Sequence, residues 1–92
     1  MIASFADRDT QRLWSGAFVR RFNGVEKQAA RKLDMLHHAR DLGDLRAPPA
    51  NRLEALAGKR RGQYSIRIND QWRICFVWTK EGPGHVEIVD YH

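Results

Sequence analysis

A chain of 92 residues and 10.7 kDa has room for one domain, residues 1–92, and none for a separate substrate or dinucleotide-binding unit. Sixteen Lys and Arg against eleven Asp and Glu give a net charge of +5 and a pI near 10.0, and twelve of the sixteen cations are Arg, the side chain that grips phosphates bidentately. The 42% apolar share is too high for a disordered polycation, and the single cysteine, Cys75, excludes an intrachain disulfide framework and points to a reducing compartment. The stretch Met1–Asp7 lacks the basic start and long apolar core of a signal peptide. The longest apolar run, Ile74–Trp78, falls far short of the ~20 residues of a membrane helix, so a cytoplasmic protein with no membrane contact is expected. The positive charge favours an anionic partner.

The first half carries helical patterns. After the apolar start Ile2, Ala3 and Phe5, either Asp9 or Thr10 is expected to cap a helix reaching about Phe18 and burying Leu13, Trp14 and Ala17. Asn23, with Glu26 three residues later, reads as a capping box for a second helix. Val25, Ala29, Leu33, Leu36 and Ala39 then repeat at helical spacing, while Lys27, Arg31, Asp34 and His38 fall on the opposite side. Gly43 is expected to end this helix, with Leu42 and Leu45 folding back onto its apolar face. Pro48-Pro49 breaks the pattern.

Beyond the prolines the period falls to two. Tyr64, Ile66 and Ile68 alternate with polar residues, as do Trp72, Ile74, Phe76 and Trp78 with Arg73, Cys75, Val77 and Thr79. Asn69-Asp70-Gln71 is a hairpin connection, Glu81-Gly82-Pro83-Gly84 is a turn, and a last strand runs from His85 to Asp90. Arg52–Leu56 supplies a further strand at the start of this meander. The expected architecture is an α+β domain in which two N-terminal helices pack on one face of a twisted antiparallel sheet.

Two groups of residues invite a chemical reading. If the strands around Asn69-Asp70-Gln71 pair, Arg67 and Arg73 project from one face, and the loop Lys59-Arg60-Arg61 adds three adjacent cations. Six cations and two anions between Arg52 and Arg73 give that stretch a net +4. The stretch is either a phosphate-binding track or a solvated loop with ordinary outward sheet residues. The second group is the tail Asp90-Tyr91-His92, which is either a frayed polar terminus or a set of proton-handling side chains. The anionic Asp90 and an α-carboxylate on His92 favour the imidazolium of a general acid. His37 and His38 diverge by about 100° on a helix and so do not form a zinc pair; no metal site is expected. Cys75 and the Trp72/Trp78 pair fit packing.

The block Asn51-Arg52-Leu53-Glu54-Ala55-Leu56 with Gly58, the run Gly62–Phe76 and the ending Val86-Glu87-Ile88-Val89-Asp90-Tyr91-His92 resemble the HigB group of bacterial toxins in the RelE/ParE superfamily. The likeness spans essentially the whole chain and is strongest over its last forty residues. It implies a type II toxin that enters the ribosomal A site and cuts mRNA there without metal or cofactor. A HigA-type helix-turn-helix antitoxin would neutralise it, with operator DNA contacted only through that antitoxin. The chemistry implied is attack of a ribose 2′-OH on the adjacent phosphorus, with expulsion of the 5′-oxygen. By resemblance His92 is the general acid, Asp90 is the base or orients another base, Tyr91 stacks on or hydrogen-bonds the nucleotide, and Arg73 holds the phosphorane charge. Lys59, Arg60, Arg61 and Arg67 are then RNA contacts. Where some relatives carry a His and a Lys, this chain has Glu54 and Ala57; Glu54 is either a replacement base or a surface partner of Arg52 or Lys59. A non-enzymatic alternative comes from ParE-like members, which block DNA gyrase by protein contact.

Overall fold

In the computed structural model, which describes residues 1–91, the chain opens with an extended segment laid along the edge of a sheet. Phe5 bridges Val86 in parallel, and three backbone hydrogen bonds (Ala3 N to Pro83 O, Val86 N to Ser4 O, Ala6 N to Val86 O) of 2.7–3.1 Å fasten the seam. Edge strands carry unpaired backbone groups that invite aggregation, and this segment satisfies part of one such edge.

Helix α1 spans Arg8–Trp14 and is capped by Asp7, whose carboxylate accepts from the Thr10 backbone N–H. The expected caps Asp9 and Thr10 are displaced because Thr10 has another task. It is fully buried, and its hydroxyl accepts from the Ile88 N–H at 3.0 Å. Gly16, at φ +94°, stops the helix four residues before the expected end and leaves Phe18 65% exposed.

Helix α2 spans Glu26–His38, and its expected inward residues Val25, Ala29, Leu33, Leu36 and Ala39 are all buried. The Asn23 cap does not form. Gly24 takes φ +90° after a 3-10 turn at Arg20–Phe22, Val25 occupies the cap position, and Glu26 instead accepts from the Gly24 N–H at 2.7 Å. The helix ends at His38 rather than near Gly43. Asp41 and Asp44 cap each other's backbone, which starts a separate 3-10 turn at Leu42–Arg46 and drives Leu45 into the core.

Four strands follow in antiparallel order: β1 (Glu54–Ala55), β2 (Tyr64–Arg67), β3 (Trp72–Thr79) and β4 (Gly82–Asp90). The β3–β4 turn is tighter than expected. Thr79 pairs with Gly82 and Trp78 with Pro83, so Lys80-Glu81 makes the turn and Gly82-Pro83-Gly84 belongs to the strand. Proline is tolerated there because the outer side of β4 needs no ladder donor at that position. Gly82 is required: at φ +117° a Cβ would sit 2.2 Å from the Met1 carbonyl oxygen. Two residues of β4, His85 and Val86, face Phe76 alone, a bulge that brings Val86 and Ile88 onto the core side.

The helices and the sheet bury one shared core, in which Phe22, Leu33, Leu36 and Leu45 meet Ile66, Ile74, Phe76, Val86 and Ile88. The fold is α+β. Among the described residues no helix is long and apolar enough to cross a membrane.

Candidate active site on the sheet face opposite the helices

Strand register assembles the site. Arg67 pairs directly with Arg73, and Arg73 with Val89; one row along, Glu54 pairs with Ser65, Ser65 with Cys75 and Cys75 with Glu87. Side chains of paired residues leave the same face of a sheet, so these rows share the face turned away from the helices. Tyr91, two residues after Val89, leaves on the same face, on the side of the Arg73 row away from Glu87.

Arg73 stands at the centre and is only 7% exposed. Its Nε donates to Ser65 Oγ at 2.8 Å, and Nη2 donates to the Arg52 carbonyl at 2.7 Å. Arg52 holds the left-handed conformation, φ +46°, which costs a non-glycine residue about 1 kcal/mol and turns its carbonyl toward the guanidinium. Two different elements thus clamp one end of the planar fork. The Glu54 carboxylate lies 3.9 Å from Nη2, and the Tyr91 ring, 44% exposed, sits with its centroid 5.6 Å from Cζ. A fixed guanidinium, a carboxylate and an accessible aromatic ring together suit an anionic, base-bearing ligand.

The remaining cations are distributed unevenly. Lys59 and Arg60 lie on a 3-10 turn, Gly58–Arg60, that Arg61 follows. Arg60 is tied into the sheet by Gln63 and by Glu87, each at 3.1 Å, whereas Lys59 and Arg61 are exposed. Arg67 pairs with Asp70, a fully exposed carboxylate that screens it weakly.

The tail does not converge as a unit. Asp90 pairs with Trp72, so it leaves the sheet on the helix side, where Gln71 donates to it at 3.1 Å, while Tyr91 leaves on the Arg73 side. His92 lies outside the described residues. Sequence reasoning missed Ser65, whose shared parity with Arg67 was the available signal. It also missed Lys32, on α2, and Asn51, on the turn before β1, which meet only in the folded chain. Among the described residues no three His, Cys, Asp or Glu side chains gather in a metal-binding arrangement. A shallow apolar groove of about 370 Å³ between the helices, bounded by Leu13, Phe18 and Lys27, touches none of these residues.

Cys75 lies buried between the Arg60–Glu87 pair and Arg73, and burial pushes its thiol up from the ordinary value of 9.0. Near that pH the unfolded chain releases the thiol proton and the folded chain keeps it, so stability falls as pH rises past about 9. Urea titrations from pH 7.5 to 10 should show this fall in the native chain and a shallower one in Cys75→Ala. A thiol reagent should label Cys75 no faster than the protein unfolds.

Comparison with solved structures places this architecture. The chain superposes on the YoeB–YefM complex from Staphylococcus aureus with a TM-score of 0.64, covering 100% of this chain and 98% of the other at 17% identity. The two chains therefore share a fold. The family model described as the RelE-like toxin HigB of type II toxin–antitoxin systems matches residues 4–92, and the chain belongs to that HigB-like toxin family. It is 45% identical over 57 residues to Toxin HigB-1 of Vibrio cholerae serotype O1, and 50% identical over 56 residues to an uncharacterized protein of Haemophilus influenzae. These alignments take in 62% and 61% of this chain and span 60% and 55% of the two relatives.

Proposed function

We propose that residues 1–92 act as a single toxin domain, a metal-independent endoribonuclease that cuts mRNA in the ribosomal A site and halts translation in the cytoplasm. The observation that carries this reading is the clamped, nearly buried Arg73 with Glu54 and Tyr91 beside it on one sheet face. Strand cleavage by a 2′-OH needs a base, an acid and a fixed positive charge for the phosphorane. Glu54 takes the 2′ proton as the oxygen attacks phosphorus. Arg73 holds the added negative charge, and His92 gives its proton to the departing 5′-oxygen, leaving a 2′,3′-cyclic phosphate and a 5′-hydroxyl. Tyr91 stacks on a base next to the cut. Asp90, on the other face, holds Gln71, whose carbonyl accepts from the Tyr91 N–H, and so positions Tyr91 rather than reaching the phosphate. Lys59 and Arg61 meet RNA phosphates directly, and Arg60 does so from its Glu87 tether. A HigA-type helix-turn-helix antitoxin neutralises the toxin and carries the contact with operator DNA.

Mapping of mRNA 5′ ends after expression tests the reading. The native chain should yield new 5′-hydroxyl ends within translated messages, and His92→Gln should remove them while the protein still accumulates. Loss of DNA supercoiling without mRNA cuts would assign the toxin to gyrase instead.

A further inference from the structure

Asn51 is fully buried, and its amide is fully committed. Nδ2 donates to the Leu45 carbonyl at 3.1 Å and the Ala47 carbonyl at 3.3 Å, so Oδ1 has to face the other way, where it accepts from Lys32 Nζ at 2.5 Å. Lys32 projects from α2, one turn after Gln28, which meets Asn69 of the β2–β3 hairpin at 3.4 Å. Lys32 comes from the helix side of the sheet and Arg67 from its other face, and at this end of β2 the two are near enough for the charge of Arg67 to act on the lysine. The adjacent residue, Arg52, supplies the carbonyl that clamps Arg73. One short corner, Asn51-Arg52, thus positions a cation on each side of itself.

This arrangement works against the folded chain on its own. Burial and the charges of Arg31 and Arg67 all lower the pKa of Lys32. A neutral donor such as glutamine would satisfy Asn51 without that repulsion. Asp70 answers Arg67 from full exposure and Glu54 lies 3.9 Å from Arg73, so a third cation gathered here adds to the attraction for an incoming anion.

We propose that Lys32 and Arg67 form a second phosphate-binding subsite next to Arg73, holding a neighbouring phosphodiester of the same single RNA strand. The inference rests on the ribonuclease reading for its ligand, though not for its geometry. Arg67 swings from the exposed Asp70 to the phosphate, and Lys32 keeps Asn51 while its other two N–H groups bind the phosphate oxygens.

The probe is a short single-stranded oligonucleotide with 2′-deoxy sugars, which cannot be cut, bound to the full chain across a salt series. Lys32→Gln should weaken binding about tenfold, the effect of one charge-assisted hydrogen bond. It should also reduce the slope of log K against log salt by about 0.7, the single-strand value per phosphate contact. Arg67→Gln should do the same, Lys32→Arg should restore both quantities, and Lys27→Gln, on the exposed side of α2, should change neither. Glutamine can still donate to Asn51, so folding is preserved, and Arg67→Gln reports on the subsite without touching Asn51. A Lys32→Gln chain that binds like Lys27→Gln overturns the subsite even if the native chain cuts mRNA. An equal loss on a duplex of the same sequence overturns the single-strand assignment. If the native chain cuts no mRNA but both variants lose affinity and slope, the subsite stands and the nuclease reading alone falls.

Discussion

Arg73→Ala should reduce ribosome-dependent mRNA cleavage by about 10²–10³-fold, the usual loss when one fixed donor to a developing oxyanion is removed. Arg73→Lys should recover little of it. A lysine ammonium carries the charge but cannot hold Ser65 Oγ and the Arg52 carbonyl while leaving a flat edge toward the phosphate. Ser65→Ala is the informative companion, because it leaves the charge in place and frees its orientation; cleavage should fall by less than in Arg73→Ala, with a change in kcat rather than KM. Single-turnover cleavage on programmed ribosomes reads all three, alongside a urea midpoint that reports whether the fold survives. Full cleavage by Arg73→Ala would remove this face of the sheet from the reaction.

Phe22→Ala should cost about 3–5 kcal/mol, the range for emptying a buried aromatic site. Phe22 has no exposed surface and meets the Trp72 ring edge to face, with centroids 5.5 Å apart, while Arg21 lies 5.1 Å above it. It sits in the turn that joins the helices and packs against the strand that bears Arg73, so its loss loosens helices and site together. Small domains have total stabilities of about 5–15 kcal/mol, and at 92 residues this one buries too little to sit at the upper end. Urea unfolding should show a midpoint shifted to low denaturant or a pre-melted baseline. The proposed antitoxin should restore much of the loss, since a ligand at 100 times its Kd adds about 2.7 kcal/mol.

Most of the secondary structure was legible because it depends on local periodicity. The α2 face from Val25 to Ala39 and the alternation from Tyr64 to Trp78 follow directly from burial of one side of each element. The hairpin at Asn69-Asp70-Gln71 then forces Arg67 opposite Arg73. Boundaries were less legible, since Asp7, Gly16 and Gly24 compete with equally suitable neighbours. Thr10 lost its capping role only because β4, some eighty residues away, needed an acceptor.

The candidate site divides in the same way. Composition and spacing alone place Arg73 on one sheet face with Arg67, put Glu54 in a strand at the start of the meander and bring Tyr91 to the end of the last strand. Tertiary structure decided that Arg73 is buried and clamped, that Asp90 leaves the opposite face, and that Lys32 joins Arg67 at the corner held by Asn51. The physical reason is range. A strand's parity and a helix's face are set within a few residues, whereas the partners of a buried charge are whatever distant backbone and side chains the packed core brings to it.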